Sequence, residues 1–172
     1  MRSKLLLVPV FGILIAVASA SSAAFAGSPA RHDHNTGVRV LRVTLTNSQE
    51  TDLDTAPAGP SVGDRFSVFG DLVRTGTSTR IGVGGYDCVT LRYQPGTSPA
   101  GPPAALIDQC SGTLALRDGQ IAVQGLVDRT GPVPITIAVT GGTGAYRTAH
   151  GELQTSGPNA AGEEPLTLRL IL

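Results

Sequence analysis

Glycine and proline interrupt this sequence so often that long helices are disfavoured. The 172 residues include 22 glycines and 12 prolines, and both residue types destabilise the interior of a helix. Between them lie short segments in which apolar residues alternate with others, most strictly at Leu166, Leu168, Leu170 and Leu172. A period of two is typical of a strand that buries one face. The pattern therefore predicts an all-β fold.

The alternating segments predict eight or nine strands joined by turns. We expect them at residues 38–46, 65–73, 78–83, 86–93, 106–116, 121–127, 133–140, 148–155 and 165–172, with a loop over residues 47–62. Only Gly84 and Gly85 separate the third and fourth segments in the hydrophobic pattern, so one long strand with a bulge is an alternative there. Eight strands can close around an interior that side chains fill or that holds one small ligand. We predict an eight-stranded antiparallel β-barrel, with a β-sandwich as the alternative.

The first 26 residues have the pattern of a secretory signal peptide. Arg2 and Lys4 precede an uncharged apolar run over residues 5–17, and small residues follow, ending in Ala24-Phe25-Ala26 as the cleavage site. The alternative is an uncleaved membrane anchor. We therefore predict a signal peptide at 1–26, a flexible tail at 27–37 and a β-barrel domain at 38–172. The mature protein is then secreted, with no stable membrane anchor.

Charge and motifs argue against several classes of function. The formal net charge is zero, whereas a nucleic-acid-binding protein needs a basic surface. Motifs of serine hydrolases, zinc peptidases and nucleotide-binding loops do not occur. The glycine-rich segment 141–144 precedes a predicted strand rather than a helix, which favours a plain turn. His32 and His34 lie in the predicted tail without a nearby third ligand. We expect no metal, no cofactor and no nucleic-acid partner.

Cys88 and Cys110 lie in the predicted strands on either side of the loop at residues 94–105. If these strands form a simple hairpin with Tyr93 opposite Ala105, the same register places Cys88 directly opposite Cys110. That placement is compatible with disulfide geometry, and export favours oxidation. We predict a Cys88–Cys110 disulfide, the alternative being two unpaired buried cysteines.

Aromatic residues are scarce, with only five in the predicted mature chain. A tyrosine combines an apolar body with a polar tip, which suits the wall of a ligand cavity. We predict that an apolar pocket is contacted by Phe66, Tyr86, Tyr93 and Tyr146. The alternative for these residues is ordinary packing at a barrel rim.

Three polar residues are the candidates for orienting or converting a ligand: Asp71, Arg147 and His150. His150 and Glu152 alternate on one face of a predicted strand, and they could exchange protons with a ligand if that face lines the interior. If the face points outward, they are ordinary surface residues. The sequence alone does not decide which strand faces are inside.

Several short motifs occur in order along residues 38–172: Val62-Gly63-Asp64, Cys88-Val89, Val123-Gln124-Gly125, and the 141–144 turn followed by Tyr146. In this order they resemble the barrels of allene oxide cyclases and dirigent proteins. The resemblance implies an eight-stranded antiparallel barrel that forms a homotrimer and contains an apolar cavity. It also implies that the cavity guides ring closure or coupling by positioning the reactant rather than by strong acid–base chemistry.

The resemblance does not transfer a set of catalytic residues to this chain. Arg147 matches a polar position of the dirigent pattern, but His150 stands where dirigent proteins carry arginine. The first strand lacks the acidic residue of the cyclases. We therefore predict a secreted barrel that binds a small hydrophobic metabolite and guides its cyclisation or coupling. The alternative is a non-catalytic barrel that binds a lipophilic ligand or has a structural role.

Overall fold

The computed structural model describes residues 37–98 and 101–172. The predicted signal peptide, and the predicted tail up to residue 36, lie outside the described residues. The strands are β1 Arg39–Leu53, β2 Arg65–Arg74, β3 Arg80–Gln94, β4 Ala105–Leu116, β5 Gly119–Asp128, β6 Ile135–Gly142, β7 His150–Thr155 and β8 Glu164–Ile171. A 3-10 turn at Gly144–Tyr146 lies between β6 and β7. No helix in these residues is long and apolar enough to cross a bilayer.

The eight strands form a closed antiparallel barrel, as predicted. Each strand pairs with its neighbours in sequence, and β8 pairs with β1 to complete the ring. Closure gives every strand two partners, so the apolar strand β8 has no free edge. The sandwich alternative is thereby excluded.

Strand β1 is longer than the sequence indicated. Its pairing with β2 shifts between Thr46 and Gln49, and Asn47 adopts a positive φ of 51°. Asparagine tolerates this conformation better than most residues, and the extra residue forms a β-bulge. The strand then continues to Leu53 through residues predicted to be a loop. Because side chains alternate along a strand, the bulge changes which of the following residues face inward.

Strand β3 is a single strand through Gly84 and Gly85, in line with the one-strand alternative. The bulge of that alternative does not lie at the two glycines, which pair regularly with Gly70 and Phe69 of β2. The register shifts of β3 lie elsewhere, opposite Leu72 and Val73 and again between Thr90 and Arg92.

The two ends of the barrel differ. At the end where β8 finishes, the interior is filled by fully buried side chains that include Val43, Leu72, Ile121, Leu168 and Leu170. We call this the closed end. At the opposite end, where β8 begins, the interior is surrounded by the loops 54–64, 129–134 and 156–163 and by the described residues 95–98 and 101–104. We call this the cavity end, because the cavity of the barrel lies there.

Candidate active site in the barrel cavity

The interior contains a cavity of about 200 Å³ at the cavity end. Its wall is mainly aliphatic, with contributions from Leu45, Val68, Leu72, Leu114, Val123, Val127, Ile135, Ile137, Leu153 and Leu166. Exposed residues such as Glu50, Arg129 and Pro158 also line it, so the cavity reaches the protein surface. A dry cavity of ~150 Å³ can hold benzene. The space here therefore suits a molecule of one or two rings.

Two inward-facing glycines leave room for the cavity. A Cβ atom at Gly84 would lie 3.2 Å from the methyl groups of Leu72, and one at Gly112 would lie 3.0 Å from the Cβ of Tyr86. Both glycines line the cavity. Any side chain at either position would press on its neighbour or extend into the open space.

A buried carboxyl group, that of Glu164, forms the polar part of the cavity wall. Glu164 is the first residue of β8 and has only 7% exposure. The Tyr86 hydroxyl donates to its Oε2 at 3.0 Å, and the Thr155 hydroxyl donates to its Oε1 at 2.8 Å. None of the ion pairs formed within the described residues includes Glu164. Its charge is therefore stabilised by hydroxyl groups, and a carboxylate has about four acceptor sites, so it can accept a further donor.

The pKa of Tyr86 is raised above its usual value. Burial is the largest cause, and the negative charge of Glu164 and the hydrogen bond to it add to the effect. A phenol in this setting keeps its proton at neutral pH. Tyr86 therefore acts as the donor in its bond to Glu164.

Aromatic rings form the wall next to this carboxyl group. The rings of Phe66 and Tyr86 meet edge to face, with centroids 6.0 Å apart and an interplanar angle of 89°. The guanidinium carbon of Arg129 lies 4.6 Å from the centroid of the Phe66 ring. This arrangement is a cation–π contact.

Arg129 also compensates a second buried acid. Its Nη1 lies 3.6 Å from Oδ2 of Asp108, whose side chain is 1% exposed. The Thr90 hydroxyl donates to Asp108 Oδ1 at 2.9 Å, while Oδ2 accepts no hydrogen bond from the described part of the chain. The Asp108 charge therefore depends on Arg129, and this contact holds the arginine at the cavity rim.

The predicted disulfide is present. Cys88 and Cys110 face each other across β3 and β4, with an S–S distance of 2.01 Å. Both cysteines line the cavity and are buried. The covalent link thus lies in the cavity wall, beside the aromatic pair.

The four aromatic candidates fall into two groups. Phe66 and Tyr86 line the cavity and contact each other. Tyr93 lies opposite Leu106 near the end of β3 and does not line it. Tyr146 is 4% exposed and packs into the main core from the 3-10 turn at the closed end. Ligand contact by any of the four stays a prediction.

The three polar candidates lie outside the cavity lining. Asp71 accepts hydrogen bonds from Asn47 and Arg80, which lower the pKa of its carboxyl group. Arg147 follows the 3-10 turn and is exposed, and His150 is exposed with its Nδ1 3.2 Å from the Thr148 carbonyl oxygen. The structure therefore brings none of the three next to Phe66 and Tyr86. A functional role for them stays a prediction.

The polar residues that do line the cavity were missed by the sequence reasoning. Glu164 lies in phase with the inward residues Leu166, Leu168 and Leu170, so extending that alternation back by two residues would have found it. Thr155, the last residue of β7, lies in phase with Leu153, which also lines the cavity. The inward position of Glu50 follows from the bulge in β1, which the sequence pattern does not show. No group of three or more His, Cys, Asp or Glu side chains in the described part of the chain is arranged to hold a metal ion.

Comparisons with known proteins agree with this architecture. Residues 40–161, more than half of the chain, match the family described as allene oxide cyclase barrel like domain. No curated protein matches the chain. A solved structure of a pyocyanin demethylase is 28% identical, with a TM-score of 0.62, and the match covers 77% of this chain and 99% of that one.

Two further solved structures share the fold at lower identity. An exo-specific intermolecular Diels-Alderase is 21% identical, with a TM-score of 0.51 and coverage of 77% of this chain and 98% of its own. A pterocarpan synthase dirigent protein is 14% identical, with a TM-score of 0.54 and coverage of 78% and 83%. From the closed eight-stranded barrel and the family match together, we conclude that this chain belongs to the allene oxide cyclase barrel-like family.

Proposed function

We propose that the barrel binds a small, flat, mostly apolar metabolite in its cavity and guides the cyclisation or coupling of that metabolite. The observation that carries the proposal is the buried Glu164 carboxyl group, held by Tyr86 and Thr155 at one side of an otherwise aliphatic cavity. Cavities that combine apolar walls with a few convergent polar groups are typical of small-molecule sites.

The cavity can contribute to a reaction in two ways. The aliphatic wall holds a ligand by burying its apolar surface, at about 25 cal/mol per Å² before association costs. A ligand held in one orientation reacts as if its partners were at high local concentration. The Glu164 carboxyl group accepts a hydrogen bond or a proton from the ligand, which fixes the orientation. Positioning of the ligand is the main contribution to the reaction, and the carboxyl group determines the orientation in which the ligand is held.

The related structures support a reaction on a small molecule without selecting one. The demethylase, the Diels-Alderase and the dirigent protein are named for three different reactions. At the lower identities the likeness extends to the fold alone, and a fold does not determine a reaction type. The proposal of cyclisation or coupling therefore rests on the positioning argument.

The first test asks whether the cavity is the ligand site. Val127 on β5 faces the cavity and is buried, whereas its neighbour Leu126 faces outward and is 61% exposed. Val127→Phe should fill the cavity, and Leu126→Phe is the matched control. We expect 1-methylnaphthalene, followed by its fluorescence, to bind the wild type and the control but not Val127→Phe. Equal binding of the probe to all three proteins would contradict the proposal, provided that circular dichroism shows a folded barrel.

The second test asks whether the barrel guides chemistry. A phenol oxidised by a separate one-electron oxidant couples in solution to a racemic product, which chiral chromatography measures. A guiding cavity should give an excess of one enantiomer with the wild type and with Leu126→Phe, and a racemate with Val127→Phe.

The alternative function is non-catalytic binding of a lipophilic ligand. It is favoured by the fact that both Glu164 oxygens already accept hydrogen bonds from the protein, and binding with a racemic product would support it.

We also propose that the chain is exported and cleaved after Ala26, and that it works outside the cell. Mass spectrometry of the protein from culture medium should give a mass that begins at Gly27. An intact Met1 in a membrane fraction would contradict this.

Association into a homotrimer, which the family resemblance implies, stays a prediction that analytical ultracentrifugation can check.

A further inference from the structure

We propose that the cavity selects a cationic aromatic ligand over a neutral or anionic ligand of the same shape, and that Glu164 and Glu50 provide this selectivity. The inference rests on the proposed function, because it takes the barrel cavity as the ligand site. It adds the charge of the ligand, which neither the fold nor the apolar wall determines.

The charges around the cavity do not balance. Glu164 is buried, and its two partners are neutral hydroxyl groups. Glu50 lines the cavity from β1 and forms no ion pair within the described residues. Arg129 supplies a positive charge to the lining, but it lies 3.6 Å from the buried carboxylate of Asp108. Once Arg129 and Asp108 are counted against each other, the Glu164 and Glu50 carboxyl groups face the cavity with no balancing cation among the residues that the structure describes.

The orientation of Glu50 follows directly from the backbone. The bulge between Thr46 and Gln49 shifts the alternation of β1, so that Glu50 lies opposite the inward residue Val68. Without the bulge, Glu50 would lie on the outer face. A bulge commonly serves to redirect a side chain toward a site. The bulge therefore orients the Glu50 side chain toward the cavity. A cavity that bound only neutral ligands would not need a charged residue at this position.

The aromatic wall already holds a flat cation. The guanidinium group of Arg129 lies over the Phe66 ring at 4.6 Å. Like a cationic heteroaromatic ring, guanidinium is planar and delocalised, and both are attracted to an aromatic face. Tyr86 presents its ring at right angles to Phe66 on the same wall. Because Arg129 covers a face of Phe66, a cationic ring in the cavity would meet the Tyr86 ring and the uncompensated negative charge.

Arg129 does not reverse this preference. The Tyr86 hydroxyl group experiences the charges of Glu164, Glu50 and Arg129, and the two acids contribute more to raising its pKa than the arginine does to lowering it. An anionic ligand that approached Arg129 would also lie near Glu164 and Glu50. Glu164 is buried, and charges interact more strongly in a buried site than in water, so the anion should be rejected.

Three probes of nearly the same shape test the inference: 1-methylquinolinium, 1-methylnaphthalene and 1-naphthoate. The first two differ only by the charged nitrogen in place of a ring carbon. We expect the full mature protein to bind the cation at least about tenfold more tightly than the neutral probe, and to bind 1-naphthoate more weakly than either. Raising the salt concentration should reduce the difference, because ions screen the charge at the cavity rim.

Substitutions then assign the selectivity to the two acids. Glu164→Gln and Glu50→Gln should each reduce the ratio of cation to neutral affinity severalfold, with little effect on 1-methylnaphthalene. Glu163→Gln is the matched control: Glu163 is exposed, does not line the cavity, and accepts a hydrogen bond from Asn159 at 3.3 Å. If Glu164→Gln does not fold, Glu50→Gln still tests the idea, because Glu50 is exposed at the rim.

The outcomes separate this inference from the proposed function. Equal affinity for the cationic and neutral probes, or an unchanged ratio in both acid variants, would overturn the charge selectivity and leave the ligand site in place. Failure of all three probes to bind the folded wild type would overturn the ligand site itself. Tighter binding of 1-naphthoate would assign the dominant role to Arg129 and also overturn the inference.

Discussion

Tyr86 on β3 donates a hydrogen bond to Glu164 at the start of β8, with 3.0 Å between the hydroxyl oxygen and Oε2. The two residues are 78 positions apart in the sequence, and their strands are not neighbours in the barrel. The bond therefore crosses the interior and forms only when the barrel is closed. It links the stability of the closed barrel to the polar group of the cavity.

Tyr86→Phe should destabilise the protein and remove part of its sensitivity to alkaline pH. At neutral pH, loss of the hydrogen bond leaves Glu164 with one donor fewer, which should cost about 1–2 kcal/mol. The pKa of Tyr86 in the folded state lies above its ordinary value of 10.0. As the pH rises past that value, the unfolded chain loses the proton while the folded chain keeps it, so stability falls.

Urea unfolding across the alkaline range measures this effect. Above about pH 10 the wild type should lose stability faster than Tyr86→Phe, so the difference between the two should narrow. Curves that stay parallel through that range would show that burial and Glu164 do not hold the proton on Tyr86.

Arg129→Gln should destabilise the protein by leaving Asp108 without its cation. The Asp108 side chain is 1% exposed, and no donor within residues 37–98 and 101–172 forms a hydrogen bond to its Oδ2. An uncompensated buried acceptor costs about 1–3 kcal/mol. Asp108→Asn removes the charge and can keep the bond from Thr90, so adding it to Arg129→Gln should restore most of the loss.

Thermal and urea unfolding of the two single variants and the double variant give the coupling energy. Arg117→Gln, at an exposed position in the β4–β5 turn, is the control for losing one arginine. Additive effects of the two substitutions would mean that Arg129 does not compensate Asp108.

Removal of the disulfide should lower stability without preventing closure of the barrel. Cys88 and Cys110 are 22 residues apart, and a loop of that length contributes about 3 kcal/mol in the chain-entropy account. The double variant Cys88→Ala/Cys110→Ala should therefore unfold at lower urea concentration than the oxidised wild type. Reduced wild type is the control and should resemble the variant. Equal stability of oxidised and reduced protein would contradict the prediction.

The fold could be predicted because the barrel repeats one simple pattern. Leu166, Leu168 and Leu170 alternate with outward residues and are all buried. Cys88 lies opposite Cys110 as predicted, although the assumed pair Tyr93–Ala105 is wrong. A register shift between Thr90 and Arg92 places Tyr93 opposite Leu106, and the pairing around the cysteines is unaffected because it lies on the other side of that shift. Strand β1 did not follow the pattern, because a bulge at Asn47 changes its phase and no residue type marks a bulge reliably.

The cavity was harder to predict than the fold, because it depends on which end of the barrel is filled. Phe66 and Tyr86 were found because aromatic residues are scarce. The same reasoning also selected Tyr146, whose 3-10 turn places it in the core at the closed end. Arg129 lies beyond the end of β5, and its position over Phe66 depends on a contact between distant residues that no local pattern encodes.

Asp64→Asn should loosen the loop at the cavity end and remove part of the acid sensitivity of the protein. Asp64 accepts hydrogen bonds from the backbone N–H and hydroxyl of Thr55 at 2.9 Å each, and from those of Ser61 at 2.7 and 3.0 Å. The backbone N–H of Thr55, followed by that of Ser61, lowers the pKa of Asp64 below 3.8. An asparagine offers a single acceptor oxygen and cannot replace all four bonds.

The direction of the pH effect follows from that lowered pKa. Above 3.8 the ionised Asp64 contributes its full stabilisation, and the contribution is lost as the pH falls through the folded-state pKa. The difference in unfolding free energy between wild type and Asp64→Asn should therefore shrink as the pH drops below about 4. Asp118→Asn, at an exposed position in the β4–β5 turn, is the control. A difference that stays constant from neutral to acid pH would show that the charge of Asp64 does not anchor the loop.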